Sequence, residues 1–303
     1  MIATTPSTPS TSNTPSNNTT GTTATSTTTN VGSARNLKQV MFGTAFNLQQ
    51  IQGLTPIAYL NCSLNAKYSV YPTTMPTSRG ALLYFGVGIG GRRVVSSTSL
   101  TEAQPIAETN MDLYQPIPIR IVPYDQDLTP TEQANYRMRT VKTVNGQKYI
   151  AYYLKVLVQN STQPEFMTLN SSGTSSPYTP DPLNLNPTPP DPSTDGTVNS
   201  VGAEINVVTI STLTITGEEI SEAINVLFNG DSRYAMLSEL GLYTGSDQTM
   251  TYTNASGQSQ TYTESLNTKL HTMATDIGTN VSMPSSEWTE QFYLGSGRVI
   301  FLS

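Results

Sequence analysis

The sequence predicts a mainly β fold, antiparallel and β-sandwich-like, with two or three short helices and an extended N-terminal arm. Three observations carry that prediction. Asn145-Gly146 sits between two strand-like runs, Arg139 to Val144 and Gln147 to Val158. Asn-Gly is the strongest short hairpin signal, because a type I′ turn needs positive φ at both central residues. Ile205, Val207, Leu213 and Ile215 share one parity with Thr and Ser interleaved, the pattern of a strand with one apolar face. Finally, residues 1–33 and 161–200 have compositions that rule out a packed core of their own.

The arm comes first. Residues 1–30 hold 13 Thr, 5 Ser, 4 Asn and 3 Pro, and the first charge in the chain is Arg35. Such a segment buries too little apolar surface to offset its ordering entropy. It reads either as a disordered tail or as an arm that orders against a partner subunit. Uncharged β-branched residues suit strand addition to another chain's sheet edge. Strands are then expected at Ala81–Ile89, Arg92–Val95 and Ile117–Val122. Thr129, Pro130 and Glu132 fit a capping box with Pro at the first helical position, starting a short helix towards Arg137. The second hairpin arm, KYIAYYLKVLV, is apolar on both faces and reads as covered on two sides.

Residues 161–200 contain eight prolines, a density that favours extended polyproline II. No basic residue lies between Lys155 and Arg233, while nine acids do. The stretch is a linker or an excursion from one domain, and strand-like flanks favour the excursion. The organisation is therefore an arm (1–33), a first β-rich part (34–160), the Pro-rich stretch (161–200) and a second β-rich part (201–303). In the last part, Thr216 and Glu219 form a second capping box before a helix with Ile220, Ala223, Ile224 and Leu227 on one face, ending at Asn229-Gly230. Glu218, Glu219 and Glu222 fall where the helix dipole favours acids. Strands are expected at Glu239–Tyr243 and Glu290–Leu294, a third helix over Glu264–Met273, and a turn at Gly295-Ser296-Gly297 before a closing RVIFL strand.

Composition excludes several classes of function. Charged residues are 12% of the chain, with 15 basic against 21 acidic and a net charge of -6. Thinly spread basic residues hold a phosphate backbone poorly, so no nucleic-acid partner is expected. Cys62 and His271 are each the sole residue of their type, which excludes an intramolecular disulfide, a Cys zinc cage and a multi-His metal site. No run approaches the ~20 apolar residues of a membrane span. The start, MIATTPSTPS, lacks the basic and apolar regions of a signal peptide. No membrane partner is expected, and the location is where the chain is synthesised or a particle assembled there.

The motifs weaken on inspection. Gly86, Gly88 and Gly91 match the dinucleotide pattern GxGxxG, but RRVVSSTS follows where a helix is needed. The glycines read instead as a strand or turn that another backbone approaches closely. Asp125 and Asp127 begin a calcium-loop pattern that fails at Pro130 and Tyr136. Cys62 and His271 lack activating neighbours in the sequence. No catalytic, cofactor-binding or metal-binding residue, no cofactor and no small-molecule substrate is expected. Arg92 and Arg93, an adjacent basic pair, are candidates to meet an acidic partner surface or the acidic stretch of the same chain. Sixteen Tyr against seven Phe is an excess that fits either interface use or ordinary sandwich packing. On the first reading, Tyr149, Tyr152, Tyr153 and Tyr243 are partner-contact candidates.

Three stretches, ALLYFGVGIGG (81–91), DLYQPIPIRIVPYDQDLTPTEQANYRMR (112–139) with its NGQKYIAYYLK continuation, and MLSELGLYTG (236–245), resemble virion structural proteins of large tailed bacteriophages. The SELGLYTG turn is similar to segments of tail, baseplate and fibre-attachment components. The resemblance covers about half the chain and carries no active-site residues. It implies a non-enzymatic structural subunit of the tail, baseplate or neck/collar. Such a subunit would be located in the virion after assembly in the host cytoplasm. It would be homo-oligomeric there and would contact other virion proteins through its arm and Pro-rich loop. A head decoration protein, a glycan-binding adhesin and a tail-associated hydrolase using Glu218 or Asp231 remain as alternatives.

Overall fold

In a computed structural model the described residues are 37–57, 60–71, 76, 78–94, 101–169, 175–185, 204–280 and 286–298. The expected arm (1–33), residues 170–174 and 186–200 of the Pro-rich stretch, Val95 and residues 299–303 lie outside them. In chain order the elements are β1 (Leu37–Gln39), α1 (Met41–Gln52), α2 (Leu64–Lys67), β2 (Ala81–Gly88), β3 (Arg92–Val94), β4 (Thr101–Ala103), β5 (Pro116–Ile117), β6 (Arg120–Pro123) and α3 (Pro130–Gln133). There follow β7 (Tyr136–Val144), β8 (Gln147–Val156), β9 (Val158–Gln159), β10 (Glu165–Leu169), β11 (Ser175–Pro177), β12 (Glu204–Thr216), α4 (Gly217–Phe228), β13 (Met236–Thr253), β14 (Ser259–Asn280) and β15 (Glu287–Arg298).

The strands pair antiparallel throughout, as the alternating patterns predict. One sheet of eight runs β1-β14-β13-β2-β8-β6, with β5 on β2 and β7 on β8. A sheet of five runs β11-β10-β12-β15, with β9 on β12, and β3-β4 form a separate hairpin. Strands from both sides of the Pro-rich stretch share the larger sheet, where β2 lies between β13 and β8. The 161–200 stretch is not extended polyproline throughout. Glu165–Leu169 is Pro-free and pairs with Glu204–Val208, because a proline-free run keeps the N–H groups that a ladder needs.

Local signals explain several elements. Asn145 and Gly146 have φ of 51° and 79°, and they join β7 to β8 with Val144 opposite Gln147, as the type I′ argument requires. Thr216 accepts from the Glu219 N–H at 3.3 Å and its own N–H donates to Glu219 at 2.9 Å, which starts α4. Asn229 ends it in the left-handed region. The Thr129 box is equally complete, but α3 stops at Gln133. The expected run to Arg137 fails because Tyr136 and Arg137 are taken into the ladder with β8.

Three other expectations are corrected. Glu264–Met273 is part of β14, not a helix. Asn267 has φ of 54° and sits where two partners on β13, Thr244 and Ser246, face Lys269 and Leu266. The extra residue there, and a second one between Leu270 and Thr272, each flip side-chain parity, so Leu266, Leu270 and Met273 mimic helical spacing within a strand. SELGLYTG is not a turn but the buried first half of β13. Gly295-Ser296-Gly297 does not turn either; its residues stay in register with Val208, Val207 and Asn206.

α1 carried no sequence signal. Val40 offers no side-chain cap, the first turn has no acid, and apolar residues occupy both sides. Tertiary packing makes the helix. A Cβ at Gly43 would stand 2.2 Å from the His271 carbonyl, so glycine lets α1 lie directly on β14. Phe85, Val87, Ile150, Leu240 and Leu242 of the large sheet pack with Leu213 and Ile215 of β12 and Ile220 and Ile224 of α4. Tyr84, Met138, Leu270 and Met273 pack with Val40, Leu64, Tyr68 and Val70 instead.

Candidate functional site

Buried carboxylates organise the large sheet. Glu264 on β14 accepts the N–H groups of Met138 (2.7 Å), Arg139 (2.9 Å) and Ser265 (2.8 Å). Met138 has φ of 56°, and a left-handed residue turns successive N–H groups towards one anion. Glu264 thus ties the outer strand β7 to β14. Burial pushes its carboxyl up to about 7, against those three donors and the Arg137 charge. Glu239 on β13 accepts from Gly90 (2.9 Å), Tyr114 (2.8 Å) and Gln115 (2.9 Å), and burial raises its pKa too. The glycines of the GxGxxG match make this approach possible. A Cβ at Gly88 would meet the Glu239 carboxylate at 2.4 Å and the Gln115 carbonyl at 2.6 Å.

Charged pairs follow the same inward plan. Arg137 grips Asp247 with two bonds of 2.8 Å, and the Tyr84 hydroxyl donates to the same carboxylate at 2.6 Å. Arg139 bonds Asp127 at 2.7 and 3.0 Å and lies 3.7 Å from the Tyr252 ring centre. Arg120 pairs with Glu222 at 2.8 and 3.0 Å. Lys155 pairs with Glu219 at 2.7 Å, and the Tyr136 hydroxyl bonds that carboxylate as well. Two of the three helix-start acids, Glu219 and Glu222, are therefore anchors of α4 to the large sheet, while Glu218 is exposed.

The partner-contact candidates separate into two groups. Arg92 and Arg93 are exposed on β3, with Arg93 bonded to Glu102 of β4 at 2.6 Å. Tyr149 is half-buried on β8. Tyr152, Tyr153 and Tyr243 are interior and offer no outer contact area. Their polar ends explain why they are Tyr rather than Phe. Tyr152 donates to Asp127 and Tyr243 to Asp112, each at 2.6 Å, while Lys142 donates to the Tyr153 hydroxyl at 3.2 Å. The acids Glu239, Glu264 and Asp112 went unread in the sequence. Their signal was a lone acid inside or beside an otherwise uncharged strand run.

Groups with catalytic potential are occupied by the chain. His271 bonds the Thr272 hydroxyl at 2.7 Å and the Asn47 amide oxygen at 3.2 Å. Burial holds it down at about 4, so it is neutral near neutral pH. Lys269, lowered by burial to about 8, donates to the Ile57 carbonyl at 3.0 Å and contacts the Asn267 amide. It borders a shallow hollow with Phe42, Gln49 and Arg79. Among the described residues there is no group of three His, Cys, Asp or Glu placed to hold a metal.

The margins of the sheets differ in one respect that bears on assembly. The outer side of β14 is closed by side chain and short strand. Asn65 donates to the Ser265 carbonyl at 2.9 Å and accepts the Thr268 N–H at 3.0 Å. Val40 N–H bonds the His271 carbonyl at 3.1 Å, and β1 pairs with residues 272–274. At the start of β7 the N–H groups of Met138 and Arg139 are held by Glu264. β15 pairs with β12 from Thr216↔Glu287 to Ile205↔Arg298, and its other side meets no strand among the described residues. From Gln291 to Gly297 it carries neither charge nor proline, the usual protections of an edge. This margin is the candidate functional site.

Residues 22–302 match the protein family described as Family of unknown function (DUF7208), and the chain belongs to that family. No curated protein and no solved structure matches it.

Proposed function

We propose that this member of the family is a non-enzymatic structural subunit of a tailed-phage virion, in the tail, baseplate or neck/collar. The single observation that carries the reading is the β15 margin, whose outer side meets no strand among the described residues and which carries neither charge nor proline from Gln291 to Gly297. An unprotected edge of this length is an aggregation template on a free monomer and a contact surface inside an assembly. The exposed side chains of Leu48 and Ile51 on α1 add apolar contact area of the kind that interfaces cover. The buried carboxylate pins and the pairs of Arg137, Arg139 and Lys155 stiffen the subunit. The resemblance of residues 81–91, 112–139 and 236–245 to virion proteins supports the same reading.

Mass spectrometry of purified particles from the genome encoding the chain tests this. The expected result is the chain at a fixed copy ratio to other virion proteins, with antibody labelling at the tail end. Its absence from washed particles overturns the proposal.

A further inference from the structure

We infer that the hollow between α1, the 78–80 segment and the β13–β14 ladder is a binding site for a carboxylate on a short apolar stem. The inference is independent of the assembly reading above. Charge is the first ground. Lys269 and Arg79 both line the hollow, and no Asp or Glu lines it. Neither cation has an acidic partner among the described residues, whereas Arg120, Arg137, Arg139 and Lys155 each have one. Lys269 is only 6% exposed, and a charge taken out of water calls for a counter-charge. Burial lowers its amine to about 8, with only the Cys62 thiol opposing, so it is still mostly protonated at neutral pH.

Unused donors are the second ground. Lys269 Nζ donates to the Ile57 carbonyl at 3.0 Å and to the Asn267 amide oxygen, which takes two of the three ammonium N–H groups. Arg79, exposed at the rim, donates to the Gly53 carbonyl at 2.9 Å through Nη2. Most of its five-donor fork is left over. Gln49 lines the hollow at 8% exposure, and its amide has no side-chain partner among the described residues. No fully buried side-chain polar atom there is left unbonded, so the Gln49 amide opens into the hollow. Shape is the third ground. The enclosed space is about 20 Å³, the measure of one or two waters. That suits a planar carboxylate better than a phosphate. Phe42, Phe46, Pro56, Ile57 and Leu266 supply apolar walls for the stem. The carboxylate takes the third ammonium N–H, the open side of the Arg79 fork and the Gln49 amide.

A free short-chain acid and an acidic side chain of another protein both present this chemistry. The test uses the full chain, with sodium butyrate and the capped tripeptide acetyl-Gly-Glu-Gly-amide as probes and sodium chloride at equal ionic strength as reference. Binding is read from the amide shifts of Gly245 and Leu266, and the Lys269 amine from its Cε shift as pH is stepped. A probe is expected to saturate these shifts and to move the Lys269 midpoint up by about one pH unit, because an adjacent anion favours the ammonium. Arg79→Gln should weaken binding about tenfold, the loss of one charge-assisted hydrogen bond. Lys269→Met keeps the stem, removes the charge and should abolish binding. Lys148→Gln changes an exposed cation outside the hollow and should leave binding as it was. Tighter binding of butyrate supports the site with a free acid as its source, and tighter binding of the tripeptide supports it with a protein acid. No plateau with either probe, or a midpoint that chloride moves equally, overturns the inference. So does equal binding by Arg79→Gln, a change at an exposed residue that decides the matter even where Lys269→Met does not fold.

Discussion

The β7/β14 margin and the β15 margin solve the same problem in opposite ways. Both are long strand edges with backbone groups that must find partners or water. At β7/β14 the chain spends side chains on closure. Glu264 takes the N–H groups of Met138 and Arg139, and Asn65 fills the gap between Ser265 and Thr268. The outer side of β15 meets no strand among the described residues. The difference teaches that closure here is bought residue by residue, and that leaving one edge open is a property of particular side chains rather than of the fold.

The contrast is broken most severely at Glu264. Glu264→Ala leaves two buried N–H groups and one part-buried one without this acceptor and should destabilise the fold by about 4 kcal/mol. Urea unfolding measures it, and a loss under about 1 kcal/mol would mean the pin is not a closure device. The same carboxylate sets a pH signature. Its pKa is raised from 4.5 to about 7, so the folded state keeps a proton that the unfolded state releases. Stability from Glu264 is therefore full below about 4.5 and falls as pH rises to about 7. His271 acts with the other sign. Its pKa is lowered from 6.5 to about 4, so its contribution is full above 6.5 and falls as pH drops towards 4. The two slopes oppose each other where the windows overlap, each spanning about 3 kcal/mol. Glu264→Gln should leave stability rising with pH across that overlap, and His271→Gln should leave it falling. Urea midpoints taken at stepped pH check both, and unchanged slopes would contradict the assignment.

Smaller effects sharpen the same comparison. Asn65→Ala opens the β14 edge at Ser265 and Thr268 and should cost about 2 kcal/mol, with faster exchange of the Thr268 amide by NMR. Gln291→Lys puts a charge on the exposed open margin. It should change stability by less than about 0.5 kcal/mol while weakening self-association in sedimentation. Surgery on the closed margin thus costs folding, and surgery on the open one costs assembly. A Gln291→Lys protein that unfolds readily but still associates would reverse that order.

Much of the scaffold was legible because its signals are local. The Asn145-Gly146 hairpin and both capping boxes depend on residues a few positions apart, and the alternation of β12 lies within one strand. What escaped depends on distant partners. α1 exists because Gly43 can lie on the His271 carbonyl, more than two hundred residues away in sequence. Two register shifts, at Asn267 and between Leu270 and Thr272, disguised a strand as a helix, since each inserted residue rewrites the side-chain period. The candidate site was not legible, since nothing in EWTEQFYLGSGR distinguishes an edge strand from a covered one. The tyrosine excess misled for a related reason. Tyr152, Tyr153 and Tyr243 look like contact residues until their hydroxyls are seen to meet Asp127, Lys142 and Asp112 inside the chain.

The central claim is that the two margins differ in the isolated subunit. Residue-resolved amide exchange on the full chain, diluted until monomeric, tests it most directly. The account predicts slow exchange at Met138, Arg139 and Thr268 and fast exchange at alternate residues of Gln291–Gly297. Slow exchange along the whole of β15 in the monomer, or fast exchange at Met138 and Arg139, would contradict it.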